Sequence, residues 1–410
     1  MKGSYPRGHL AKVVAGILSD RLGEIIEVGA IWPGRTPADA RKQWNQDIDL
    51  PWSEAYIGHA LRQLLEHGPE DGTAAPAPIS GSALVAAGVD WLTAPREPLR
   101  ASLRGAEVTP DMVDTLVHRA EQLRALEKAQ GGKLVAGWIL HDLRWASRLA
   151  REGAYDAATG VRLYRVIAEL AQLVGWLVAD LGDQARGHRY LLAGLRAASL
   201  AGDRDLGAYI LSCLGYHLMW YGSPQDALRL IKIAAQGADG GTAGTVRSLL
   251  ATRQARAHAQ LGERTACETA LMRAAGALAE TCTGDAPTWS RWVNRAVLEA
   301  DAGRARLELG HPDRAEAHLM NGLRELGRHQ QRNRLLHQLS VAEARLALRE
   351  VEGAAEATRA ALAMARDVRS GRAHRRLLDV QARFSVYDTE AAHEMNEVIH
   401  QSLEVCGSRD

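Results

Sequence analysis

A single phenylalanine stands among 410 residues, and runs of Val, Ile or Thr are few. Strands draw on aromatic and β-branched side chains, so a sheet-based core has little to build from and an all-α chain is expected. Cysteine is as sparse. Cys213, Cys267, Cys282 and Cys406 are far apart and form no CxxC pair, which argues against a structural zinc site and against a disulfide framework. No apolar run reaches the length of a membrane span, and no basic segment followed by an apolar one opens the chain. A cytoplasmic protein without membrane contact is therefore expected. GxGxxG after a strand, GxxxxGK[ST], GxSxG and HExxH are all missing, so neither an enzyme nor a cofactor is expected. Strong charge of one sign is missing too. Arg outnumbers Lys by 44 to 6, but acids are interleaved throughout and the net charge is only +1, so the excess is read as coding bias rather than as a nucleic-acid surface.

What the chain does have is one local pattern, five times over. A helix ends at Gly182, Gly222, Gly262, Gly310 or, less regularly, Arg349, and small residues follow five and twelve positions later. Those ten positions are Gly187 and Gly194, Ala227 and Ala234, Cys267 and Ala274, Ala315 and Gly322, Ala354 and Ala361. Residues seven apart lie two turns along one helical stripe, so the second helix of each pair carries a shaved seam that a neighbour can approach closely. The glycine supplies a left-handed turn between the two helices. Successive anchors are 40, 40, 48 and 39 residues apart, a period that belongs to stacked helical hairpins.

From about Val135 onward this pattern resembles tetratricopeptide repeats in a lengthened form. Tyr155-Asp156-Ala157-Ala158-Thr159-Gly160, Gly175-Trp176, Asp180-Leu181-Gly182-Asp183, Ala201-Gly202-Asp203-Arg204, Tyr221 to Ala227 and Arg256-Ala257-His258-Ala259 narrow the likeness. They resemble the repeat region of an actinobacterial family of helix-turn-helix transcriptional regulators. The resemblance implies an N-terminal DNA-binding module followed by repeats that couple a ligand or partner to transcriptional control. In that family a Pro-containing turn and a helix like Leu10 to Leu22 come after the DNA-reading helix. Here Tyr5-Pro6-Arg7 stands almost at the first residue, so the expectation for 1–67 is a small helical module, the remnant of such a domain. Either the start is assigned too late or DNA binding has been lost. Lys2, Arg7 and Lys12 are its candidate phosphate contacts.

A Gly-, Ala- and Pro-rich patch from Gly68 to Ser82 breaks any helix, and 68–108 is expected as a linker and connecting segment. Thr109-Pro110-Asp111 opens a helix with a capping residue, a first-turn proline and an acid at the positive dipole end. The tetratricopeptide-like solenoid is placed at 109–410, with Asp388-Thr389 starting a terminal capping helix.

With no catalytic motif, the inner surface of the solenoid is the expected site. Aromatic and amide side chains on the first helix of each pair would supply stacking area and hydrogen bonds to an extended peptide, small molecule or protein effector. The candidates are Trp176, Tyr209, Tyr216, His217, Trp220, Trp289, Trp292, Asn294 and Arg295. A competing reading is that the aromatics only fill space beside the small seam. His393, Glu397 and His400 share a helical face but are explained equally well by a solvated last helix. The functional expectation is an effector-binding regulator, with a protein-interaction scaffold lacking DNA binding as the alternative and a homodimer as the candidate assembly.

Overall fold

The turns come first, because they set the architecture. In the computed structural model Gly182, Gly222, Gly262 and Gly310 all adopt left-handed backbone, with φ of 107°, 83°, 74° and 77°, and so does Arg349 at 66°. Each turn closes in the same way. The amide three residues past the helix end donates to a carbonyl five residues back: Asp183 to Val178, Ser223 to Leu218, Glu263 to His258, His311 to Arg306 and Glu350 to Arg345. This is the six-to-one bond of a Schellman turn. Gly202, at φ 67°, repeats it between two successive pairs, with Asp203 donating to Ala198. Asp183 and Asp203 then cap the next helices, their carboxylates accepting from the amides of Arg186 and Leu206 at 3.0 Å.

The structure describes residues 54–66, 77–95, 98–129, 132–238, 242–281, 286–327, 330–365 and 370–407, with positions 14, 18, 31 and 52. Lys2, Arg7 and Lys12 and most of the expected module 1–67 lie outside the described residues. Among those described there are sixteen α-helices and no strand. They are α1 (Glu54–Glu66), α2 (Gly81–Thr93), α3 (Pro110–Ala129), α4 (Lys133–Glu152), α5 (Ala157–Asp180), α6 (Gln184–Leu200), α7 (Arg204–Trp220) and α8 (Pro224–Gly237). The remaining eight are α9 (Gly244–Gln260), α10 (Arg264–Ala279), α11 (Arg295–Glu308), α12 (Pro312–Glu325), α13 (Gln331–Ala347), α14 (Val351–Ala365), α15 (Gly371–Phe384) and α16 (Glu390–Gly407). A short 3₁₀ turn, Thr288–Ser290, precedes α11. Helices α5/α6, α7/α8, α9/α10, α11/α12 and α13/α14 form five hairpins that stack in sequence, so the fold is an all-α helical-hairpin solenoid.

All ten small positions are buried, and the three glycines among them, Gly187, Gly194 and Gly322, lie against the first helix of their own pair. A Cβ on Gly187 would stand 2.6 Å from the Ala179 methyl and 2.7 Å from the Gly175 carbonyl. One on Gly322 would stand 3.1 Å from the Ala296 carbonyl. Such backbone approach is possible only where the seam is shaved, and larger side chains such as Leu319, Leu335 and Leu339 then fill the space to either side. Each fully buried leucine contributes about 2 kcal/mol by area.

Thr109 caps α3, accepting from the Met112 amide at 3.4 Å, and Thr389 caps α16, accepting from Ala392 at 3.3 Å. Part of the stretch expected to be a connecting segment is built into the body. Ser80 caps α2, which the Gly, Ala and Pro content just before it obscures in the sequence. Trp91 of α2 is fully buried against α8, where a Cβ on Gly237 would stand 2.1 Å from its ring. Residues 102–108 are pinned to 154–155 by four backbone hydrogen bonds of 2.8–2.9 Å.

The apolar core comes in two large bodies. One runs from α1 to α9 and includes Trp289 and Val293, and the other runs from α11 to α16. Between them lies only a small cluster of Ala255, Ala259, Cys267, Ala270 and Ala305. This junction coincides with the single 48-residue spacing in the repeat.

Candidate functional site

An open solenoid leaves the inner face of its first helices exposed, whereas here that face is covered. Of the 17 residues in α7, 15 are buried, and 15 of 17 in α9. By contrast the outer helix α10 buries only Cys267, Ala270 and Ala274. Inner helices are enclosed on all sides because the array curls until its ends meet. Helix α3 reaches both α13 and the 3₁₀ turn. Arg372, in the first turn of α15, donates through Nε to Asp180 Oδ1 at the last residue of α5, at 2.6 Å and across 192 positions of sequence. Arg332 of α13 pairs with Glu127 of α3 and stands 4.0 Å from the other Asp180 oxygen.

The closed interior is lined by rings and guanidiniums. Seven of the nine sequence-predicted residues fall into two neighbouring groups. Trp176 stacks on His217 at 5.0 Å and tilts against Tyr216 at 5.5 Å, while Trp220 packs on Tyr216 at 6.2 Å. Tyr209 stacks on Trp289 at 5.0 Å and meets Trp292 at 6.5 Å. Arg253 bridges the groups, its guanidinium 5.9 Å from the Tyr209 ring and 5.3 Å from Tyr216. The structure does not bring Asn294 and Arg295 into this interior. Asn294 is the exposed N-cap of α11, accepting from the Val297 amide at 3.2 Å, and Arg295 is exposed and pairs with Glu325 at 3.4 Å.

Charge is distributed through the same space. Arg256 reaches Glu308 at 2.7 Å and Asp301 at 3.3 Å, and Arg376 reaches Glu343 at 2.8 Å and Ser340 at 3.0 Å. Arg124 binds Gln172 at 3.1 Å and Glu169 at 3.4 Å. Burial opposes ionisation of Asp180, but Arg372 and Arg332 outweigh it and hold the carboxyl below its ordinary range. Burial would likewise raise the Tyr216 phenol, yet Arg304, Arg372 and Arg256 together draw it below its ordinary value. In the histidines the arginines reinforce burial instead of opposing it. Burial, reinforced by Arg304, lowers His337 to about 3, and burial with Arg189 lowers His188 to about 4. His217 is pushed well down by burial, His188, Arg372 and Arg253. Burial and the neighbouring arginines thus act together to favour the neutral form of these three imidazoles.

Sequence reasoning missed the guanidiniums. The excess of Arg over Lys invited an explanation by composition, although Arg253, Arg256, Arg304 and Arg376 sit on helices otherwise rich in Ala and Leu. That placement was the available signal, because an arginine on a helix buried all round needs a partner inside. Cys213 and Cys267 are buried and free. Cys267 fills its seam, and burial pushes its thiol up to about 11. His141 stands 3.5 Å from Asp142, which is held in a two-pronged pair by Arg119 at 2.8 Å. His393 is on the exposed face of α16, 3.4 Å from Asp388. No group of three metal-ligating side chains occurs among the described residues, and no helix among them is long and apolar enough to cross a membrane. Two open depressions lie on the outer rim, one lined by Arg264, Arg306, His311 and His318 and the other by Arg247, Gln254, Arg273 and Glu280. Neither is lined by the interior aromatics. Compared with known proteins, the chain matches no family model and no curated protein sequence.

Proposed function

We propose that the solenoid is the sensing part of a regulatory protein, with its charged and aromatic interior as the effector site and transcriptional control as its output. The observation that carries this reading is the burial of rings and guanidiniums in the middle of a repeat array. A purely structural solenoid fills that space with aliphatic side chains, which cost less to desolvate. Occupancy is read out through the junction between the two apolar bodies. Each hairpin interface adjusts slightly and the adjustments add along the array, so a ligand that prefers one curvature shifts the whole. The link to DNA rests on the resemblance of the repeat motifs.

The test is a binding titration of the full chain against its own upstream DNA and a scrambled control at physiological salt. Preference for the native region supports a regulator. Affinity that ignores sequence and falls steeply with salt reports phosphate contacts alone. That result, or no binding, makes the protein an interaction scaffold.

A further inference from the structure

We infer that the interior holds a small anionic ligand carrying a phosphate or clustered carboxylates, bound around Tyr216 by Arg253 and Arg304. The inference rests on the reading of the interior as an effector site and names the ligand's chemistry.

The argument is one of pairing. Four guanidiniums stand over the Tyr216 ring or act on its hydroxyl, and two have close carboxylates of their own: Arg256 has Glu308 and Asp301, and Arg372 has Asp180. The other two are less well paired. Arg253 of α9 is 3% exposed, is in no ion pair among the described residues, and donates to the Ser212 hydroxyl. Arg304 of α11 is 9% exposed, and its nearest carboxylate oxygen, Asp301 Oδ1 at 3.8 Å, is already held more closely by Arg256. Arg304 Nε has no hydrogen-bond partner. His217 Nδ1 and His337 Nε2 are also buried without partners, and both rings lie in the field of the same arginines. An unpaired charge in a buried site is a large cost, and a protein relieves it by pairing or by binding a counter-ion. A dianion held by Arg253 and Arg304 supplies the counter-charge that Arg253 lacks and that Arg304 has only by sharing Asp301 with Arg256, and an oxygen acceptor for the orphaned Arg304 Nε–H. Guanidinium forks match the oxygens of phosphate and carboxylate.

The enclosure selects a small molecule over a peptide. Among the described residues, helices α7 and α9 are buried nearly all round and the Asp180 contacts tie α5 to α13 and α15, an enclosure that suits a compact ligand better than an extended chain. Entry requires the α13–α15 end to part from α3 and α5.

Trp176 and Trp220 pack on Tyr216 and report occupancy by fluorescence. The full chain is titrated with pyrophosphate, citrate and a hexaglutamate peptide at constant ionic strength, with chloride as control, and the heats are measured in parallel. A saturable response to pyrophosphate or citrate that weakens at least tenfold in both R253Q and R304Q is expected, and whichever of the two binds better identifies phosphate or carboxylate chemistry. Thermal melting supplies a second readout. Removing a charge whose one carboxylate is distant and shared should leave the melting temperature of unligated R304Q unchanged or raised, whereas R372Q, which breaks a close pair, should lower it. The inference is overturned if neither small anion gives a saturable response, if both variants bind as the wild type does, if hexaglutamate alone binds, or if R304Q melts as low as R372Q. Failure here with intact sequence-specific DNA binding would leave the regulator standing and remove only the ligand chemistry.

Discussion

Asp180 is the residue on which ring closure depends most directly. It ends α5, where a carboxylate meets the negative end of its own helix and is locally unfavourable. What retains it there is α15. The first residue of that helix, Gly371, comes so near the Asp180 carbonyl that a Cβ would stand 2.2 Å away, and the next, Arg372, takes the carboxylate. The Asp180 side chain is 2% exposed and that of Arg372 12%. Removing one partner of a pair this buried leaves the other charge stranded, which costs about 3–5 kcal/mol. D180A should therefore loosen α15 selectively, lowering the opening free energy of its amides by about that amount in hydrogen exchange and raising the radius of gyration. R372A should do the same, and D180A/R372A should be less damaging than the sum, with a coupling of about 1.5–3 kcal/mol. The pH dependence has a definite sign. The folded pKa of Asp180 is depressed, so its contribution is present above the ordinary carboxyl value and is lost as pH falls through the folded one. D180A and wild type should then converge in acid. Equal exchange of α15 amides in the two proteins at neutral pH would refute the closure argument.

Other substitutions test other parts of the fold. G187A puts a methyl 2.6 Å from Ala179 and should destabilise by about 1–3 kcal/mol, more than its helix-propensity gain; G137A, with nothing within 4 Å, should stabilise by about 0.5–1 kcal/mol in the same urea titration. R349G relieves a left-handed non-glycine residue on the surface and should gain about 1 kcal/mol, and a loss would show that the side chain matters to the turn. H337Q should flatten the acid limb. Since the folded His337 value lies at about 3, below the ordinary 6.5, the unfolded chain binds the extra proton as pH falls. This histidine then withdraws about 2 kcal/mol by pH 5, a loss that the glutamine variant should lack in melts at pH 7 and pH 5.

The hairpins were legible because their determinants are local. A left-handed turn needs glycine, the approach of two helices needs a small seam, and both recur at fixed offsets, so even Arg349 could be placed by register with Ala354 and Ala361. Caps at Thr109 and Thr389 were legible for the same reason. The helix at 81–93 was hidden by its own composition, since Ser80 and Trp91 make sense only against α8. Ring closure was not legible at all, because Asp180 and Arg372 lie in separate repeats with no pattern relating their positions. That the aromatics would stand together was legible, but their setting was not. Trp176 and Tyr216 look the same in sequence whether they face an open groove or a closed chamber, and what separates the two cases is the set of arginines opposite them.

The arginines at the closure, Arg332 and Arg372, decide what kind of contact joins the two ends. In a linear array each hairpin holds only its neighbours, so a contact between the two ends adds a single long-range term to a sum of local ones. Had that term been a large apolar interface, the ring would be permanently shut. Buried ion pairs behave differently, because desolvation offsets most of their attraction and the net balance is small. The two apolar bodies are thus joined by a thin alanine cluster on one side and by nearly balanced charges across the interior. Moving such an equilibrium from one state to the other takes about 5.5 kcal/mol of differential binding. Two charge-assisted contacts, one to Arg253 and one to Arg304, supply about 3–6 kcal/mol. Only the upper end of that range reaches the requirement, so the proposed anion would need both contacts at full strength to set the curvature of the solenoid, and a neutral ligand with no differential contact would set nothing.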